Sequence, residues 1–172
     1  MRGYPLQFAE DDKGRGKGKA VEPAAKRKHS SVVDGKDYRE AREDGDRLLL
    51  LEQDGELIGD ADFRSFDTAS AEYAIMIGAR NLQGRGLGRK FTTMLHVWAF
   101  RGLGLDRVYV TILPTNRASV RLFERLGYGP DSSPRARDVI DEESDVTLSV
   151  QRSEFELQHG AVMDLARFRT RT

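Results

Sequence analysis

Cysteine is absent from this 172-residue chain, which excludes disulfides, thiolate metal sites and a cysteine nucleophile and removes any redox clue to compartment. Long apolar runs are missing too, and none approaches the length needed to span a bilayer. Nor is there an excess charge of one sign, because 28 Lys and Arg balance 28 Asp and Glu. No whole-molecule field is therefore available to capture nucleic acid or an acidic membrane, and either role would need a local patch. The first residues, Met1-Arg2-Gly3-Tyr4-Pro5, lack the apolar stretch of a secretory signal. A soluble cytoplasmic chain with neither membrane nor nucleic acid as partner is the expectation. Histidine is scarce: His29, His96 and His159 have no second histidine at ligand spacing, so no metal is expected.

What is present is an ordinary single-domain composition. Apolar residues make up 38% and 17 residues are glycine, enough chain to bury a core without staples. The texture changes along it. Residues 1–36 carry the run Lys13-Gly14-Arg15-Gly16-Lys17-Gly18-Lys19 and the cluster Lys26-Arg27-Lys28, which cannot offset their ordering entropy by burial. This basic segment reads as a solvated part of one domain whose body is 37–172. Tyr4 to Phe8 reads as an edge strand and Asp37 to Arg42 as a short helix.

From Arg47 the signals sharpen. Leu48 to Gln53 and Glu56 to Arg64, joined by Asp54-Gly55, read as a β-hairpin. Ala71 to Ile77 is a third strand. Leu87 to Gly102 is a helix with Leu87, Phe91, Met94, Leu95, Trp98 and Ala99 on one face, stopped by Gly102 and Gly104. Val108 to Leu113 is a buried strand, and Asn116 to Leu126 a second helix with Ser119, Leu122, Phe123 and Leu126 on one stripe. Asp145 to Leu157 reads as a final strand, with Arg135 to Ile140 able to pair with it. Strands, helix, strand, helix, strands predict an α+β fold, a mixed sheet flanked by helices.

The stretch Gln83-Gly84-Arg85-Gly86-Leu87-Gly88-Arg89 lies between a strand and an amphipathic helix. Glycine lets backbone approach a ligand closely, and the helix start that follows offers unpaired N–H groups and a positive dipole end to phosphate. The dinucleotide fingerprint fails because Arg89 stands where its third glycine belongs, and the P-loop spacing is not met. A kinase lid would need an HRD-type loop, which is absent.

The segment resembles motif A of the GNAT superfamily of N-acetyltransferases, Q/R-x-x-G-x-G/A, through Gln83, Gly86 and Gly88. Thr115 to Tyr128 resembles motif B of the same family, N-x-x-A/S-x-x-L-Y/F-E-x-x-G-F/Y, at the expected distance. The likeness covers roughly residues 47 to 157 and is greatest to the ribosomal-protein-alanine and spermidine branches. It implies a mostly antiparallel mixed sheet whose splayed strands bind acyl-CoA, with acetyl-CoA as co-substrate and no metal. The acceptor would be a primary amine: a protein N-terminus, which branch resemblance favours, a polyamine or a small amine. The alternatives are an acyl-CoA-binding module without chemistry and a ribosome- or RNA-associated factor. Assembly as a homodimer is left open.

The resemblance also assigns roles. Backbone groups of Ile75, Met76 and Ile77 would pair with the pantetheine arm, one N–H polarising the thioester carbonyl. Gln83, Gly84, Arg85, Gly86, Leu87, Gly88 and Arg89 would hold the diphosphate. Glu72 would take the ammonium proton directly or through water. Asn116, an N-cap by type, would also touch the pantetheine. The family often places a tyrosine acid where Phe123 stands; Ser119 or water would act in its stead. Asp60, Asp62 and the acidic residues 141–143 with Asp145 read as solvated charges that would also attract a cationic amine. Arg117, Arg121 and Arg125 read as a solvated helix face.

Overall fold

The computed structural model of the chain describes residues 45–53, 56–78, 80–140 and 144–165. The N-terminal basic run, Tyr4 to Phe8, Asp37 to Arg42, the Asp54-Gly55 turn and residues 141–143 lie outside the described residues. Strand β1 (Arg47–Gln53) pairs antiparallel with β2 (Glu56–Arg64), as the hairpin pattern predicts, with a register shift at Leu51/Glu52. One extra residue re-aims a strand's side chains, and here Leu51, Ile58, Ala61 and Phe63 all reach the core. β3 (Ser70–Ile77) runs antiparallel to β2. A Cβ on Gly59 would sit 2.0 Å from the Met76 carbonyl oxygen, so this crossing requires glycine.

Helix α1 (Leu87–Arg101) buries Phe91, Leu95 and Ala99 as its periodicity demands, and Thr92, His96, Val97 and Phe100 as well. β4 (Arg107–Ile112) follows, with Val108, Val110 and Ile112 in the main core. Helix α2 (Arg117–Glu124) is shorter than its pattern suggested. The Leu126 and Gly127 N–H groups bond to the Phe123 and Glu124 carbonyls, tightening the last turn out of α geometry. β5 (Gly129–Pro130), α3 (Pro134–Asp138), β6 (Val146–Gln151) and α4 (Arg152–Leu165) complete the chain.

The sheet order is β1-β2-β3-β4-β6-β5, antiparallel everywhere except between β3 and β4. This is the α+β arrangement expected. Side chains of α1, α2 and α4 share the large core with the sheet, whereas Tyr109 faces the other way onto Ala136 and Val139. Among the described residues no helix is long and apolar enough to cross a membrane.

Two expectations are corrected. The final strand ends at Gln151 rather than Leu157, and the chain turns into α4. The Glu154 carboxylate accepts from the Gln151 N–H at 3.0 Å, the returning half of a capping box. Phe155, His159 and Met163 then recur every fourth residue and are buried, a helical period. Arg135 to Ile140 supplies no strand either. Ser133 caps the Ala136 N–H and Pro134 occupies the first turn of α3, the position that proline favours. Residues 129–130 pair with β6 in its place.

Beneath α1 lies a buried polar chain. The Tyr73 hydroxyl meets Thr92 Oγ1 at 3.2 Å, and His96 Nδ1 donates to the Thr92 carbonyl at 2.9 Å. That bond fixes the tautomer: Nε2 holds the lone pair and accepts from the Tyr128 hydroxyl. Burial draws the His96 pKa down to about 3, so the imidazole is neutral.

Candidate active site

The parallel pairing of β3 and β4 is short. Ser70, Ala71 and Glu72 lie opposite Arg107, Val108 and Tyr109, and no pairing continues beyond them although both strands run on to Ile77 and Ile112. β4 keeps its full ladder to β6, and β3 keeps its own to β2. The two strands therefore splay, and a V-shaped crevice opens toward their C-terminal ends, where open α/β sheets take ligands.

The backbone lining this split can be read residue by residue. The Gly78 N–H donates to the Ile58 carbonyl, and the Met76 carbonyl faces Gly59. Alternation then turns the backbone groups of Ile75 and Ile77 away from β2, toward the crevice. Met76 is the exception among the three expected contacts, since its carbonyl serves the β2 side. The Ile77 carbonyl accepts from Gln83 Nε2 at 2.9 Å, which ties the glycine loop to the end of β3.

At the mouth stands that loop. Gly84 and Gly86 have φ of 75° and 81°, conformations that disfavour residues with a Cβ. Gly86 is the N-cap of α1 and contributes no side-chain cap, and the first turn carries no acidic residue. The N–H groups there, with the dipole end of a 15-residue helix, remain available to an anion. Gln83, Gly84, Arg85, Gly86 and Arg89 are exposed, and Leu87 and Gly88 are half-buried against α2 and the core. Beyond the C-terminal end of β4, Asn116 caps α2 by accepting from the Ser119 N–H at 3.2 Å. Ser119 is half-buried and Arg117, Arg121 and Arg125 are exposed.

Glu72 sits at the apex, the last residue of β3 paired to β4. It is 2% exposed and not a solvated strand end. Arg64 Nε and Nη2 each donate to it at 2.9 Å, and Thr111 Oγ1 donates to Oε1 at 2.7 Å. One carboxylate thus clasps β2, β3 and β4 where the sheet divides. Bidentate contacts of this kind fix both the place and the orientation of the carboxylate. Oε2 takes one donor only, which leaves it a lone pair. Asp62 lies 4.0 Å from Arg64 on the same strand. Arg64 and Thr111 were not singled out from the sequence. A usable signal existed, because Arg64 and Glu72 are directly opposed cross-strand charges, but it needs the register across residues 65–69. Phe123 is 4% exposed, packed against Tyr73 and Tyr128 with ring centroids at 6.2 and 5.1 Å.

Residues 9–129 match the family model of the acetyltransferase (GNAT) domain. The chain belongs to the GNAT acetyltransferase family. Among solved structures, the Campylobacter jejuni N-acetyltransferase PseH superposes with a TM-score of 0.56 at 17% identity, over 66% of this chain and 74% of that one, and has also been seen with acetyl coenzyme A. The Vibrio cholerae spermidine/spermine N-acetyltransferase SpeG superposes at 0.59 and 21% identity, over 72% of this chain and 77% of its own. At these identities the likeness is one of fold. An uncharacterized protein of Methanocaldococcus jannaschii is 27% identical over 97 residues, 55% of this chain. The chain spans 20% of the length of that curated relative.

Proposed function

We propose that this protein transfers the acetyl group of acetyl-CoA to a primary amine by direct attack in a ternary complex. One observation carries the reading: β3 and β4 part immediately after Glu72, beside a glycine loop that leaves a helix N-terminus uncapped. An extended amide arm fits beside the outward-facing backbone of Ile75 and Ile77, and a diphosphate fits residues 84–88. The acetyl-CoA complex of PseH supports the same donor, and the family match from residue 9 supports one domain that includes much of the basic segment.

In this mechanism the amine nitrogen attacks the thioester carbonyl carbon, and the oxygen gains charge as the tetrahedral intermediate forms. A backbone N–H of β3 facing the crevice stabilises that oxyanion. The C–S bond then breaks, the nitrogen sheds its second proton to water as the amide forms, and thiolate leaves, to be protonated by Ser119 or water, since Phe123 has no proton to give. The ammonium must first lose its proton. Both Glu72 oxygens are already engaged by Arg64 and Thr111, so the proton passes through a water on Oε2. Positioning supplies much of the remaining rate. The half-buried Asp60 and Asp62 add negative charge that favours a cationic acceptor, whether a protein N-terminus, a polyamine or a small amine.

The test is thiol release from acetyl-CoA across a panel of amines. Release with at least one acceptor supports the enzyme. Tight acetyl-CoA binding with no release for any amine would leave a binding module in its place.

A further inference from the structure

A cavity of about 410 Å³ lies outside the crevice, at the other end of β4. Arg107, the first residue of that strand, lines it with Asp131 and Ser132 from the turn after β5 and with Gln151 and Glu154 where β6 passes into α4. Asp131 fixes the guanidinium in place. Its side chain is 8% exposed and accepts from Arg107 Nη1 at 2.7 Å, from the Ser149 hydroxyl at 2.7 Å and from the Ser133 N–H at 2.8 Å. Arg107 Nε and Nη2 meet no acceptor among the described residues. That edge is a planar pair of donors of the shape a carboxylate fits. Glu154 is half spent in the same way. Its Oε2 accepts from the Gln151 N–H, while Oε1, the Gln151 carboxamide and the Ser132 hydroxyl make no hydrogen bond to the described residues.

We infer that this cavity binds a free amino acid, its carboxylate on the Nε–Nη2 edge of Arg107 and its ammonium on Glu154. In formal charge Asp131 balances Arg107, so Glu154 leaves the walls one negative charge in excess, which the ammonium offsets. A carboxylate alone would add a third anion around a single guanidinium. An amine alone would leave the guanidinium edge unpaired. One molecule that carries both groups satisfies both walls, and the Ser132 hydroxyl and Gln151 carboxamide suit a polar side chain. The volume is of the size that small-molecule sites have. The site stands apart from the acyl-CoA reading, because Arg107 lies where β4 is still paired to β3.

Titration calorimetry of the full chain with the proteinogenic L-amino acids, one at a time, tests this. At least one with a polar side chain should bind with a dissociation constant below about 1 mM. Its N-acetyl derivative, which lacks the ammonium, and its amide, which lacks the carboxylate, should each bind at least about tenfold more weakly. Glu154→Gln removes the charge and keeps a side chain able to cap the Gln151 N–H. Arg107→Lys keeps the charge and removes the fork. Each should weaken the amino acid at least about tenfold, and Glu154→Gln still decides should Arg107→Lys not fold. Binding of no amino acid overturns the site, and so does binding that both variants leave unchanged, as expected of an amine held in the crevice. Equal affinity for the amino acid and its two derivatives overturns the pairing of charges. Acetyl transfer is read separately, by thiol release, and survives any of these failures.

Discussion

Two regions on either side of β3 treat polar groups in opposite ways. Under α1, Tyr73, Thr92, His96 and Tyr128 are all buried, and each hydroxyl and ring nitrogen has a partner. Across β3, the backbone of Ile75, the Ile77 N–H and the first N–H groups of α1 are left without a protein ladder or cap, the Ile77 carbonyl being taken by Gln83. The first region is closed, and closure of polar groups in a low-dielectric interior rigidifies what it touches. The second is open, and its unpaired donors and acceptors are the complement of an extended, anionic ligand. The difference teaches that the rigid side keeps the split side from collapsing. Tyr73 belongs to the buried chain, and its neighbour Glu72 is the clasp at the apex. One strand therefore carries the stabilising network on one face and the crevice on its edge.

The comparison can be broken from the open side first. Gly86→Val places a β-branched residue at φ 81° and should cost about 1–2 kcal/mol in strain. Coenzyme A affinity should fall at least about a hundredfold with the loss of two charge-assisted bonds, as calorimetry would show; an unchanged dissociation constant would sink the diphosphate assignment. Glu72→Gln should lower turnover by about a hundredfold and also loosen the Arg64 and Thr111 clasp. The readout is kcat against pH with the coenzyme KM held apart: unchanged turnover at neutral pH removes Glu72 from the mechanism.

From the closed side, Tyr128→Phe strands the lone pair of His96 and should cost about 1–3 kcal/mol of stability. Coenzyme A affinity should stay within about twofold, because Tyr128 lies outside the crevice, and a large loss would show that the two regions are not separable. pH acts on the same chain. His96 falls from its ordinary 6.5 to about 3 in the fold, so below pH 6.5 the unfolded state binds the extra proton. Stability is full above that value and declines as pH drops toward 3. His159, also lowered by burial, adds to the slope. Denaturant midpoints at pH 7 and pH 5 check this, and identical midpoints would contradict a neutral buried His96. The smallest effect is expected from Ser119→Ala, a fall of only a few fold in turnover if water takes over thiolate protonation; a much larger loss would make Ser119 the acid.

Much of this was legible in the chain. The hairpin, β3, α1 and β4 follow from period and turn chemistry, and Gly86 and Asn116 stand where caps are needed. The family resemblance rests on the two linked motifs. α4 was not legible for a definite reason. Val146, Leu148 and Val150 alternate as a strand, Phe155 and Leu157 alternate again in the opposite phase, and the helical stripe that wins includes the polar His159. Leu157, apolar and two residues beyond Phe155, is 91% exposed. Capping by Glu154 and burial of Phe155 and Met163 against α1 decide the matter, a tertiary override of local pattern.

By itself the sequence determined the kinds of element, their order and the glycine loop, since these depend on neighbours within one or two turns. Only the tertiary structure decided that Glu72 meets Arg64 and Thr111, that Met76 turns away from the crevice while Ile75 faces it, and that His159 reaches α1. Each depends on strand register or helix crossing, and contacts between residues distant in the chain are set by the packing of whole elements rather than by local preference.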